Sequence, residues 1–173
     1  MKLRAVWTFA GASVLALVAV AGPMPAMAAG GNTVLNAAAA RKLLPPSVYY
    51  HGQVATTQLR NSCGIEFGNG NYLLAVLVDT SGYSTEVAAK YQAYFITETP
   101  IEFGKQHLPA GIYGVGFIAG SRFVVTDVGG HDLLTAPTAV DQVMKRPLPL
   151  QIQADPAGGF RLYEGRNYVR FRR

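Results

Sequence analysis

Asp127, His131 and Asp132 are where acid–base side chains crowd together in this sequence, inside the glycine-rich stretch Asp127-Val128-Gly129-Gly130-His131-Asp132. A carboxylate beside a histidine can orient an imidazole as a general base, and the paired glycines let the backbone come close to whatever binds there. Ser81 or Ser84 could in principle complete a serine–histidine–aspartate set, but no Gly-x-Ser-x-Gly elbow presents either one. The same residues also serve a plainer purpose, since Asp and His in a tight loop bond nearby backbone groups. That second reading is the one the sequence favours, so Asp127, His131 and Asp132 stand as weak catalytic candidates with no motif behind them.

Other chemistry is thinner still. Asp79-Thr80-Ser81-Gly82 follows an apolar run and resembles the carboxylate loop of aspartic proteases, but a residue is inserted before the glycine and no second copy exists. A turn with Asp79 accepting backbone amides is the expected role. His51, His107 and His131 are the only histidines, and none stands at the short spacing of a zinc pair, so no metal site is expected. No phosphate-binding or dinucleotide fingerprint occurs, and no cofactor is expected. Cys63 is the single cysteine. It can form no intramolecular disulfide and reads as a buried, inert thiol.

Tyrosine is the more suggestive residue, with nine in the chain. Its apolar body and polar tip suit sugar stacking and protein contact as well as half-buried strands. Tyr83, Tyr91, Tyr94 and Tyr113 are therefore the candidate ligand-binding residues, the ligand being a small molecule, a glycan or an envelope protein.

Lys2 and Arg4, the uncharged run from Ala5 to Gly22, Pro23 and Pro25, and Ala26-Met27-Ala28 have the layout of a secretory signal peptide cleaved before Ala29. The reading is residues 1–28 as signal, 29–46 as a leader with one short helix, and 47–173 as a single β-rich domain exported to the periplasm or the medium. No transmembrane span is expected after cleavage. Without Lys2 and Arg4, the 15 Lys and Arg become 13 against 10 Asp and Glu. The excess sits in the last segment, where Arg161, Arg166, Arg170, Arg172 and Arg173 oppose Glu164 alone. So weak a charge does not suit nucleic acid, although the arginine hairpin could touch anionic surfaces.

These side chains must be positioned by short strands punctuated by glycine. Asn36 caps a predicted helix through Leu44, and Pro45-Pro46 stops it. Strands are expected over 48–51, 54–60, 64–67, 72–78, 91–97, 101–103, 111–118, 122–128, 150–154, 160–163 and 168–172. The unbroken apolar run Tyr72 to Val78 suits a central strand covered on both faces, and Gly68-Asn69-Gly70-Asn71 marks the hairpin before it. A helical turn is expected at 87–90, and a helix over Thr138 to Arg146 with Pro147 as its stop. In the last strand Val169 and Phe171 face one way while Tyr168, Arg170 and Arg172 face the other. The fold class is mainly β: an antiparallel sandwich or a small up-and-down barrel with one or two short helices. An outer-membrane barrel is disfavoured because the strands are too short.

Leu108-Pro109-Ala110-Gly111-Ile112-Tyr113-Gly114 resembles the strand entry of several exported bacterial β-sandwich families, carboxypeptidase-regulatory-like domains among them. The wider order resembles small exported bacterial proteins of unknown function: Arg60-Asn61-Ser62, then Leu77-Val78-Asp79-Thr80-Ser81-Gly82-Tyr83-Ser84, then Arg161 to Val169. The resemblance implies export and a β-rich domain and transfers no catalytic residue. The function expected is a non-enzymatic exported module that binds a ligand or an envelope partner. The alternatives are a small secreted hydrolase working through Asp127, His131 and Asp132, or a structural component of the envelope.

Overall fold

The computed structural model describes residues 31–173; the expected signal peptide and its cleavage site lie outside the described residues. The elements run β1 (Thr33–Leu35), α1 (Ala37–Ala40), β2 (Ser47–Tyr50), β3 (Gln53–Glu66), β4 (Tyr72–Val78), α2 (Thr85–Lys90), β5 (Ala93–Thr97), β6 (Ile101–Phe103) and β7 (Gln106–Leu108). They continue with β8 (Gly111–Ile118), β9 (Arg122–Thr126), β10 (Asp132–Pro137), β11 (Ala139–Val140), β12 (Gln151–Ala154), β13 (Phe160–Glu164) and β14 (Asn167–Phe171).

All pairings are antiparallel. The main sheet has the order β1-β3-β4-β5-β8-β9-β10, with β2 paired to the first part of β3. A second sheet has the order β11-β14-β13-β12, and β6 with β7 forms a separate hairpin. The main sheet ends at β1 on one side and β10 on the other, so it does not close. Of the two expected forms, the sandwich-like layering holds and the barrel does not.

The apolar run of β4 explains the layering. Its side chains alternate across the sheet: Leu73 and Ala75 enter one core, and Leu74, Val76 and Val78 enter another. The first core lies between the main sheet and the second sheet and is rich in phenylalanine, including Phe67, Phe95, Phe103, Phe123, Phe160 and Phe171. The second lies on the opposite face, among Ala40, Leu44, Val48, Ala55 and the tyrosines Tyr50, Tyr91 and Tyr94. A strand with water on neither face needs no polar alternation, which is why Tyr72 to Val78 reads as it does.

Residues before Ser47 are more than a leader. Thr33 to Leu35 pair with Gly64 to Glu66 as an edge of the main sheet. Asn36 caps α1, its Oδ1 accepting from the Ala39 amide at 3.1 Å. The helix stops at Ala40, short of the predicted Leu44, because the chain must turn to bury Leu44 before Pro45. Ser84 caps α2 in the same way, accepting from the Val87 amide at 3.3 Å.

Three expectations need correction. Residues 138–146 are not helical: Ala139 and Val140 pair with β14, and the Asp141 carboxylate accepts the amides of Val143 and Met144 to form a turn. The two strands expected over 54–60 and 64–67 are one, β3, whose register jumps between Thr57↔Val78 and Ser62↔Val76. Gln58 to Asn61 bulge out of the ladder there. No strand was expected at β7 or β10: β7 pairs with β6 in the separate hairpin, and β10 joins the edge of the main sheet directly after the glycine loop.

Candidate functional site

The Asp127–Asp132 loop is the turn between β9 and β10. The Asp127 Oδ1 accepts from the His131 amide at 2.9 Å, and Gly130 donates its amide to the Asp127 carbonyl at 3.0 Å. Gly130 has φ +88°, a conformation glycine adopts freely. The His131 ring lies on the same carboxylate, Nδ1 to Oδ2 being 3.0 Å. The backbone and ring bonds from His131 hold the Asp127 carboxyl below its usual range. Asp132 turns away to α2, where Lys90 donates to both its oxygens at 3.1 and 3.0 Å. The loop thus places Asp127 and His131 together and sends Asp132 elsewhere. Asp127 is the only side-chain hydrogen-bond partner of His131 among the described residues. The Asp127–His131 bonds close the turn, and Asp132 with Lys90 ties it to α2.

Beside this loop His51 has φ +47°, which is strained for a residue with a side chain. Its amide donates to the Val128 carbonyl at 2.8 Å, so the tip of β2 is pinned to the same turn. An open depression of about 270 Å³ lies here, lined by Tyr50, His51, Ser84, Glu86, Val87, Lys90 and Gly130.

The four candidate tyrosines separate. Tyr91 is fully buried and stacks on Tyr50, with ring centroids 3.6 Å apart. Half-buried Tyr83 meets Tyr91 edge-on at 5.6 Å and donates to the Tyr50 carbonyl at 3.0 Å. Tyr94 is buried in the same core. Tyr113 lies on the opposite face of the sheet and donates to the Pro109 carbonyl at 3.0 Å. Burial raises the pKa of all four. Tyr83, Tyr91 and Tyr94 belong to the core that holds Tyr50, Tyr113 belongs to the other, and of the four Tyr83 is the one that is only half-buried.

The other sequence candidates have definite places. Asp79 caps its turn through the Ser81 amide at 3.0 Å. Cys63 is buried, and desolvation pushes its thiol well up, away from the reactive thiolate. The arginine hairpin is bound inward. Asp155, with its side chain almost fully buried, accepts from Arg161 Nε at 2.7 Å and Arg170 Nε at 2.8 Å. Arg172 pairs with Glu102 at 2.7 Å, and Arg173 lies over the Phe67 ring. Among the described residues, no three His, Cys, Asp or Glu side chains gather as a metal ion would require, and no helix is long and apolar enough to cross a membrane.

The feature that sequence reasoning missed is a groove of about 240 Å³ at the mouth between the two sheets. Val34 and Leu35 of β1 form one wall, and Leu148, Pro149, Leu150 and Ile152 form the facing wall. The bulged stretch of β3 supplies Arg60, Asn61, Ser62 and Cys63. Leu148 and Val34 are 53% and 39% exposed, so the apolar lining continues out to the rim. Its walls come from three distant parts of the chain, and the one trace in the sequence is the apolar Leu148-Pro149-Leu150 ahead of β12.

No family model, curated protein or solved structure matches this chain.

Proposed function

We propose that this protein is an exported, non-enzymatic binding module whose ligand seats in the groove between β1, the β3 bulge and the strand entry at Leu148 to Ile152. The observation that carries the reading is the groove itself: a mostly apolar, solvent-open cleft where the two layers part, with a few polar groups among its lining. Small-molecule sites have this composition, mostly apolar walls with a small number of placed polar groups. The bulge in β3 adds weight, because bulges re-aim side chains and recur beside functional sites. The depression at His51 and Lys90 is less suited: Lys90 is already paired with Asp132, and Ser84 caps α2. Export rests on the signal-like N-terminal residues and is read from them alone.

A thermal-shift screen of the purified protein against fatty acids, envelope glycans and lipids tests the reading. A ligand at 100 times its Kd adds about 2.7 kcal/mol of stability, and Leu148→Asp, at a half-exposed position, is expected to erase the shift. Ligand-induced shifts that survive Leu148→Asp place binding elsewhere and sink the groove. The hydrolase alternative keeps one observation in its favour, the Asp127–His131 contact. Turnover of an ester or peptide panel that disappears in His131→Ala would decide for it.

A further inference from the structure

The groove contains one charged side chain. Arg60 stands in its wall, and no Asp, Glu, Lys or His lines it. Among the described residues no carboxylate lies within ion-pair distance of Arg60, whereas Arg161, Arg170 and Arg172 each have one.

The other polar side chains of the wall are committed to the protein. The Asn61 amide donates to Gln58 Oε1 at 2.9 Å, and the Ser62 hydroxyl donates to the Leu59 carbonyl at 2.7 Å. Asn36 Oδ1 caps α1. Gln151 donates to the Met144 sulfur at 3.4 Å and accepts from Gln153 at 3.1 Å. The one ionised group the trough offers a ligand is the Arg60 guanidinium, a fork of N–H donors that matches a carboxylate. The register jump between Thr57 and Ser62 is what lifts Arg60 out of the ladder to this position. A regular strand would have paired it across from β4.

We infer that the groove takes one fatty-acid chain, its carboxylate held by Arg60 and its hydrocarbon laid against Val34, Leu35, Leu148, Leu150 and Ile152. The inference rests on the groove being the binding site. Charge complementarity selects the anionic head, since a cationic amphiphile would bring like charge to Arg60 where no carboxylate among the described residues lines the groove. Size selects a single chain: about 240 Å³ falls below the roughly 300–1,000 Å³ of pockets that enclose drug-sized ligands.

Isothermal titration of the purified protein with decanoate, decanol and decyltrimethylammonium separates the parts of this argument. Decanoate is expected to bind about tenfold or more tightly than decanol, the worth of one charge-assisted contact, and decyltrimethylammonium more weakly than either. Arg60→Gln is expected to bring decanoate down to the level of decanol and leave decanol unchanged. Arg60→Lys, which keeps the charge and loses the fork, falls between. Leu148→Asp abolishes binding of both, with an unchanged circular dichroism spectrum as the check on folding. If decanol and decyltrimethylammonium bind as well as decanoate and Arg60→Gln alters nothing, the groove holds a chain but the fatty-acid inference is wrong. If none of the three binds, or Leu148→Asp leaves binding intact, the groove reading falls as well. A second copy of the chain covering the groove would show as a dimer in sedimentation that Leu148→Asp dissolves, and that result also overturns the inference.

Discussion

The two faces of the main sheet are built from the same strands and solve burial differently. On the face toward the second sheet the large rings are phenylalanines with Tyr113 as the exception: Phe95 and Phe123 are fully buried, Phe103 lies on Phe123, and Phe160 stacks on Phe171. On the other face the large rings are tyrosines, covered by α1, α2 and β2 rather than by a sheet. A sheet laid on a sheet leaves no polar loose ends, so phenylalanine fits. Short helices and a hairpin bring backbone carbonyls and caps to the surface they cover, and hydroxyls can use them, as Tyr83 uses the carbonyl of Tyr50. The difference locates specialisation: the Phe face supplies rigidity, and the groove opens at its margin, where β1 and the β3 bulge meet the approach to β12.

The largest effect is expected on the Phe face. Phe95→Ala removes a fully buried ring from the middle of β5 and is expected to destabilise by about 3–5 kcal/mol, read as a lower urea midpoint. A loss under about 1 kcal/mol would mean that the second sheet closes over the gap and is not rigidly packed.

On the tyrosine face the tightest point is a glycine lane in β8. A Cβ at Gly116 would stand 2.5 Å from the Lys90 carbonyl oxygen, and one at Gly114 would stand 2.6 Å from the Tyr50 ring and 2.9 Å from Tyr91. Gly116→Ala therefore pushes on the backbone at the end of α2, which cannot yield as a side-chain tip would. A loss of about 1–3 kcal/mol is expected, with hydrogen exchange quickening in α2 and not in β12–β14. Protection lost equally in both layers would show that the two faces are not independent.

Much of this was legible in the residues. Tyr72 to Val78 announced a strand buried on both sides, and Val169 and Phe171 against Arg170 and Arg172 announced a strand with one wet face. Strand identity failed where local and tertiary signals diverged. Asn61 to Cys63 reads as a break between strands over 54–60 and 64–67, yet the chain stays in β3 throughout and the irregularity falls earlier, at Gln58 to Asn61. Asp132 to Pro137 follows a glycine turn and ends in proline, which suits an edge strand and reads as loop. The Asp127–His131 contact is local and its spacing showed it. The groove was hidden because Val34, Arg60 and Leu148 have no relation until three segments pack.

Acid separates the two layers in another way. Asp155, gripped by Arg161 and Arg170, has its carboxyl held down at about 2, against an ordinary value near ~3.9. A depressed folded value means its stabilisation is complete above about pH 4 and is lost as pH falls through about 2. Asp155 ties β13 to β14, so the layer covering the Phe face is expected to loosen first. The melting temperature should fall below pH 4 in the wild type and show a shallower slope in Asp155→Asn, which starts lower at pH 7. Equal slopes would mean that the acid transition belongs to other carboxylates.

The smallest effect bears most directly on the contrast between Phe and Tyr. Tyr50 and Tyr91 are stacked partners with opposite polar fates. The Tyr50 hydroxyl shares a 2.6 Å hydrogen bond with the Thr126 hydroxyl, whereas the buried Tyr91 hydroxyl has no partner among the described residues. A buried donor left unmatched is a desolvation penalty without return. Replacing either ring with Phe keeps the stack and removes only the oxygen. Tyr50→Phe is expected to destabilise by about 1 kcal/mol, because the buried bond to Thr126 is lost and Thr126 keeps only the Gly114 carbonyl, and Tyr91→Phe to stabilise by a similar amount. The sign, read from paired thermal melts, is the result that matters. If Tyr91→Phe also destabilises, its hydroxyl is satisfied by an enclosed water, and the tyrosine face is as fully matched as the phenylalanine face. If it stabilises, this face retains an oxygen that packing alone does not require.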